Sequence, residues 1–177
     1  MDSIKRIQIP LDKGTIASLK AGDEVLLTGV IYTARDQAHL RISEIIKTGG
    51  ELPVDLKGQI IYYCGPTPPG KRVIGSCGPT TSGRMDAFTP MILEVGVKGM
   101  IGKGRRSESV VKEIKRFHAI YFIAPAGAGA YLSKKVKSSS IVAFEDLQAE
   151  AIYRLEVEDF PLVVGVDSKG RNLYSDM

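Results

Sequence analysis

Three cations stand where strands hand over to helices. Arg35 follows the β-branched run at 24–33 and precedes a helix opening at Asp36. Arg84 ends the loop Gly78-Pro79-Thr80-Thr81-Ser82-Gly83, and Lys103 lies in Gly102-Lys103-Gly104 after another short apolar run. In α/β sheets, ligands bind outside the carboxyl ends of strands, where helix N-termini also point. Cations gathered there suit a carboxylate or a phosphate, and the glycines let backbone approach the anion closely. Thr80 and Thr81 add hydroxyls to the same loop. One can cap a helix, which leaves the other for a substrate. A threonine hydroxyl is a poor base unless its alkoxide is stabilised, and Arg84, four residues on, is the cation at hand.

Each of these residues has an ordinary alternative. A lone arginine at a strand end is usually a solvated surface group, and Arg105 and Arg106 read as rim charges. His39 follows Arg35 by one helical turn, so it either faces the same edge or packs the helix. His118 reads as a partner of a helix C-terminus. Tyr62 and Tyr63 are neighbours in a strand, and Cys64 and Cys77 read as small buried hydrophobes. Gly99 to Lys103 is no phosphate loop, because Gly104 stands where Ser or Thr is needed. Gly127-Ala128-Gly129 lacks the third glycine of a dinucleotide fingerprint, Leu132 standing there.

The elements that must position these groups follow a strand–loop–helix rhythm. Strands are expected at 24–33, 59–64, 72–77, 98–101, 119–124, 140–144, 152–158 and 162–166. Helices are expected from Asp36, as the cap, to Ile46, and from Arg84 to Val95. Pro90 kinks that second helix or delays its start. A third helix is capped by Ser107 and a short one lies at 131–136. Asp167-Ser168-Lys169-Gly170 reads as a turn. The expected architecture is one α/β domain over residues 1–177, with antiparallel strands near its end.

Composition narrows the class. The chain has 177 residues, 44% apolar and 25% charged, which excludes a disordered chain, a coiled coil and a collagen. Two cysteines are too few for a disulfide scaffold, a four-cysteine zinc site or a complete iron–sulfur ligand set. Residues 98–118 carry seven cations against two acids, and residues 145–177 carry eight acids against three cations. The positive charge is therefore local, as an anionic partner or substrate requires. Tryptophan is absent and aromatics are not interleaved with the basic stretch, which argues against nucleic acid. The start shows no apolar signal region and no stretch is long enough to span a bilayer, so no membrane partner and a cytoplasmic location are expected.

Four motifs run in order along the chain: Arg35-Asp36-Gln37-Ala38-His39, Gly78-Pro79-Thr80-Thr81-Ser82-Gly83-Arg84-Met85-Asp86, Gly102-Lys103-Gly104-Arg105-Arg106-Ser107 and Leu155-Glu156-Val157-Glu158-Asp159-Phe160-Pro161. Together they resemble the β subunit, or C-terminal domain, of class I iron–sulfur hydro-lyases, the fumarate hydratases and L-tartrate dehydratases. The likeness runs from about Glu24 to Asn172. It implies a swivelling β/β/α three-layer domain with a mixed sheet. It also implies a partner α subunit carrying a [4Fe–4S] cluster, no cofactor bound by this chain alone, and a homodimer or a dimer of αβ units.

By the same resemblance Thr80 is the base that takes the C3 proton of malate, and Arg35, Arg84 and Lys103 contact the carboxylates of a dicarboxylate substrate. Ser82 stands where many members have Ala, and Arg105 where many have Asn. The implied activity is reversible hydration of fumarate to L-malate, with L-tartrate dehydration as the alternative. A non-catalytic anion-binding or assembly module and a nucleotide-binding domain are the rivals from other classes.

Overall fold

The computed structural model describes residues 4–175. Its strands are β1 (Lys5–Gln8), β2 (Glu24–Thr33), β3 (Ile60–Tyr62), β4 (Gly99–Gly102), β5 (Ile120–Ile123), β6 (Val136–Ala143) and β7 (Ile152–Val166). Its α-helices are α1 (Lys13–Ser18), α2 (Asp36–Lys47), α3 (Thr89–Glu94), α4 (Glu108–Phe117) and α5 (Gly129–Ser133). Two 3-10 turns, Ser82–Met85 and Glu145–Glu150, complete the set. The result is a mixed α/β fold on a seven-stranded sheet, ordered β1-β2-β3-β4-β5-β7-β6.

From β1 to β5 every pairing is parallel. β7 then runs antiparallel to β5 and β6 and also to β2. Because β7 joins both β2 and β5, the strands β2-β3-β4-β5-β7 close on themselves. Both faces of the central strands are buried, which is why their sequences are continuous apolar runs rather than alternating ones. In β3, Ile60 and Tyr62 turn into the enclosed cluster with Leu27, Ile31, Phe122 and Phe160. Ile61 turns outward, with Tyr63 just beyond the strand, onto Ala38, Ile42, Ile92, Val110 and Ile114 of α2, α3 and α4. This period of two follows from the pleat.

Several boundaries move relative to the sequence reading. Pro90 does not kink a long helix. A 3-10 turn takes Ser82–Met85, and α3 starts at Thr89 with the proline in its first turn, where a missing N–H costs nothing. Residues 72–77 form no strand, because they fold back on their own loop: the Thr67 N–H donates to the Ser76 carbonyl and the Ser76 N–H to the Thr67 hydroxyl. The two strands expected at 152–166 are one, β7. Asp159, at φ 48°, bends it, and its N–H is taken by the Thr28 hydroxyl at 3.0 Å. Pro161 is accommodated beside that irregularity. Ser107 caps α4 through the Val110 N–H as expected. Asp36 does not cap α2: Arg35 occupies the cap position without a side-chain bond, and Asp36 is the first helical residue. β6 begins at Val136, four residues before its expected start.

Candidate functional site

The parallel strands β2, β3 and β4 all end on one edge, and the segments leaving them build a single open cleft of about 440 Å³. Arg35, Thr80, Arg84 and Lys103 all line it. The four residues singled out by type and spacing are thus brought together, although 68 residues separate the first from the last. Thr81 and Ser76 share the lining. So does the Gly127–Gly129 turn, which the sequence offered only as a failed dinucleotide fingerprint. Gly129 is required there: a Cβ would fall 2.8 Å from the Gly78 nitrogen and 2.4 Å from the Ser76 hydroxyl.

The threonine loop is held by backbone. The Thr80 N–H donates to the Tyr63 carbonyl at 2.6 Å, and the Lys103 N–H to the Thr80 carbonyl at 3.3 Å. The Ser82 N–H donates back to the Lys103 carbonyl at 2.9 Å. This short parallel bridge pairs Thr81 with Lys103 and fixes Thr80 one residue before that pair, using no side chain. Thr81 sits at the cap of the 3-10 turn but makes no capping bond, so neither threonine serves as the expected cap. Among the described residues no protein group engages the Thr80 hydroxyl or pairs with the Lys103 ammonium.

Beneath the loop, Tyr121 donates to the Gly104 carbonyl at 2.8 Å and meets the Ser82 hydroxyl at 2.8 Å. A phenol has one proton, so Ser82 is the donor in the second bond.

Arg106 is not a rim charge. Its side chain is fully buried. Nε donates to Asp86 at 2.7 Å, Nη2 to the Thr89 hydroxyl at 2.6 Å, and Nη1 to the Tyr63 hydroxyl at 3.3 Å. The guanidinium lies over the Tyr63 and Tyr121 rings, 5.4 and 5.0 Å from their centroids. Asp86 accepts the Ser107 N–H on its other oxygen at 2.8 Å. Burial opposes the charge, but Tyr63 and Asp86 outweigh it and hold the guanidinium pKa above its usual value. This pair ties the threonine loop to the lysine loop. Sequence could not show it, since Asp86 and Arg106 are 20 residues apart.

His39 packs the helix and does not line the cleft. Its Nδ1 donates to the Arg35 carbonyl at 2.9 Å, and its ring lies against Tyr63 and Phe88. Nε2 is buried without a partner, so the ring is the neutral Nδ1–H tautomer. Burial lowers its pKa to about 4. His118 is the left-handed cap of α4, at φ 50°.

Cys64 and Cys77 are both free and buried. A hydrogen bond to Cys77, together with burial, pushes the Cys64 thiol up. Among the described residues no group of three or more His, Cys, Asp or Glu could hold a metal. No helix among them is long and apolar enough to cross a membrane.

Two carboxylates stand against the arginines of the cleft. Asp36 accepts from Arg84 Nε at 2.9 Å and lies 3.5 Å from Arg35 Nε. Glu150, from the 3-10 turn before β7, lies 3.4 Å from the same nitrogen. Gly65 opens the passage for the Arg35 side chain, since a Cβ there would stand 2.9 Å from Arg35 Cδ. Two of the three cations thus have carboxylate partners, and Lys103 has none among the described residues. What such a cleft can do is hold an anion against a free hydroxyl.

Comparison with known proteins places this geometry. The chain matches the family model described as Fumarase C-terminus over residues 2–177. It is 40% identical over 174 residues to a Methanocaldococcus jannaschii protein provisionally named L(+)-tartrate dehydratase subunit beta. That match covers 94% of this chain and 89% of the relative. It is 39% identical over 155 residues to the anaerobic class I fumarate hydratase of Escherichia coli, covering 85% of this chain and 28% of the enzyme. It is 38% identical over 172 residues to fumarate hydratase 2 of Leishmania major, covering 94% of this chain and 30% of that enzyme. The chain thus spans under a third of those two hydratases and most of the archaeal subunit. On the family match and these identities, the chain belongs to the Fumarase C-terminus family.

Proposed function

We propose that this chain is the β subunit of a class I hydro-lyase, interconverting fumarate and L-malate together with a partner α subunit. The observation that carries the reading is the cleft itself: Thr80, Arg35, Arg84 and Lys103 line one open surface at the ends of three parallel strands. An open cleft with an unengaged hydroxyl suits half of an active site, to be covered by another chain. The reading takes residues 1–177 as a single swivelling β/β/α domain of a cytoplasmic αβ assembly.

The two buried cysteines do not make a cluster ligand set, so a [4Fe–4S] cluster is assigned to the partner. Lys103 and the free faces of Arg35 and Arg84 bind the two carboxylates. When malate loses its C3 proton, negative charge spreads onto the adjacent carboxylate. Fixed cations at that point stabilise the charge as it develops. The Thr80 hydroxyl first gives its own proton to solvent, leaving an alkoxide that the surrounding positive charge stabilises; that oxygen takes the C3 proton to become the hydroxyl again and returns it in hydration. Preorganised backbone bonds at 2.6–3.3 Å tie Thr80 to Tyr63 and to Lys103, which is where orientation gains its catalytic effect.

L-tartrate dehydration is the second reading, favoured because the relative of matching length carries that name. The test is anaerobic mixing with the cluster-bearing α subunit, followed by assay of fumarate, L-malate and L-tartrate side by side. Turnover requiring both chains supports the proposal, and the preferred substrate decides between the readings. Co-purification without turnover of any of the three would leave a non-catalytic anion-binding module instead.

A further inference from the structure

We propose that Asp36 is a positioning residue that sets the two arginines for substrate, an inference that rests on the dicarboxylate reading above. A carboxylate against the arginines of an anion cleft needs a reason, because its charge repels the ligand. The geometry supplies one. A guanidinium has a side edge, formed by Nε and one Nη, and an end edge formed by both Nη groups. Asp36 Oδ1 occupies the side edge of Arg84, 2.9 Å from both Nε and Nη2. The end edge of Arg84 has no partner among the described residues.

Asp36 Oδ2 faces Arg35 Nε at 3.5 Å, and Glu150 faces the same nitrogen at 3.4 Å. Both Asp36 Oδ2 and Arg35 Nε are buried without a hydrogen bond. Contraction of that 3.5 Å gap, as substrate pulls on the end edge of Arg35, would satisfy both at once. One carboxylate at the start of α2 therefore steers two arginines whose sequence positions are 49 apart. Both end edges are left to fork onto substrate carboxylates, the bidentate mode that arginine favours.

Charge and position predict opposite outcomes, which makes the inference testable. Asp36→Asn keeps the size of the side chain and adds one net positive charge to the cleft. Electrostatics alone predicts a lower KM for a dicarboxylate. Loss of positioning predicts a KM raised at least tenfold. The measurement is steady-state kinetics of the αβ complex with its best substrate, for wild type, Asp36→Asn, Arg84→Gln and the double variant. Because Asp36 steers Arg35 as well, its substitution keeps an effect once Arg84 is gone but a smaller one than in the wild-type background, a coupling that mere loss of fold does not produce.

Asp36→Ser replaces Asp36→Asn if the amide variant does not fold. A KM that is unchanged or lowered, or full additivity in the double variant, overturns the inference while wild-type turnover leaves the functional reading standing. A wild-type complex that turns over none of the three substrates overturns both.

Discussion

Replacing Arg106 by methionine should cost this protein a large part of its folding free energy, and the structure gives the size. The guanidinium is fully buried and makes bonds of 2.7 Å to Asp86 and 2.6 Å to Thr89, with a longer one of 3.3 Å to Tyr63. Methionine fills similar space but leaves Asp86 charged, with only the Ser107 amide to satisfy it. Removing one partner of a buried pair costs about 3–5 kcal/mol, because an uncompensated charge stays behind. The Asp86 side chain is 18% exposed, so water offsets part of that and about 3 kcal/mol is expected. For a chain of this size, that lowers Tm by about 6–12 °C.

The assay is urea and thermal unfolding of the purified chain at pH 7. Asp86→Leu with Arg106→Met should recover at least half of the loss, since a pair replaced as a unit leaves nothing stranded. A single variant within about 1 kcal/mol of wild type would refute the reasoning. So would a double variant no more stable than the single.

Two further outcomes follow from the site. Arg84→Lys keeps the charge but loses the fork that Asp36 grips, so kcat/KM of the αβ complex should fall about a hundredfold, with stability unchanged within about 0.5 kcal/mol. An undiminished kcat/KM would show that a point charge suffices. His39 binds a proton in the unfolded chain near its ordinary pKa of 6.5 but in the folded chain only near 4. Stability must therefore fall as pH drops through that window, by about 2 kcal/mol between pH 7 and pH 5. His39→Phe should remove that part of the slope in paired urea titrations, and parallel slopes would place the titration elsewhere.

Much of the scaffold was legible because its strands are runs of β-branched and other apolar residues. The run at 24–33 carries no charge after Glu24 and is strand β2 to the residue. Ser107 and Gly96 signalled helix ends through chemistry that acts within one turn. The misread segments depend on distant partners. Residues 72–77 have strand-like composition but bond to Thr67 instead of a sheet. β7 continues through Asp159 and Pro161 because Thr28, 131 residues earlier, takes the unpaired amide.

The site shows the same division. Arg35 and Lys103 could be placed from sequence, since each directly follows a strand that ends on this edge, whereas Thr80 and Arg84 were placed there through a strand at 72–77 that does not form. Asp36 was visible only as a helix start, and its grip on Arg84 spans 48 residues. Arg106 looked like a second surface cation beside Arg105. Its burial depends on Asp86, Thr89 and two tyrosines arriving from other elements.

The most direct test of the central claim is hydrogen exchange at C3 of L-malate in deuterium oxide, catalysed by the αβ complex and followed by proton magnetic resonance. If this chain carries the proton-transfer residue, wild-type complex exchanges one C3 hydrogen. Thr80→Ala complex should lose that exchange by at least a hundredfold, within the about 10²–10⁴-fold that a positioned acid–base group contributes, while still binding malate. Exchange by Thr80→Ala within a few-fold of wild type would contradict the account and move the base to another residue.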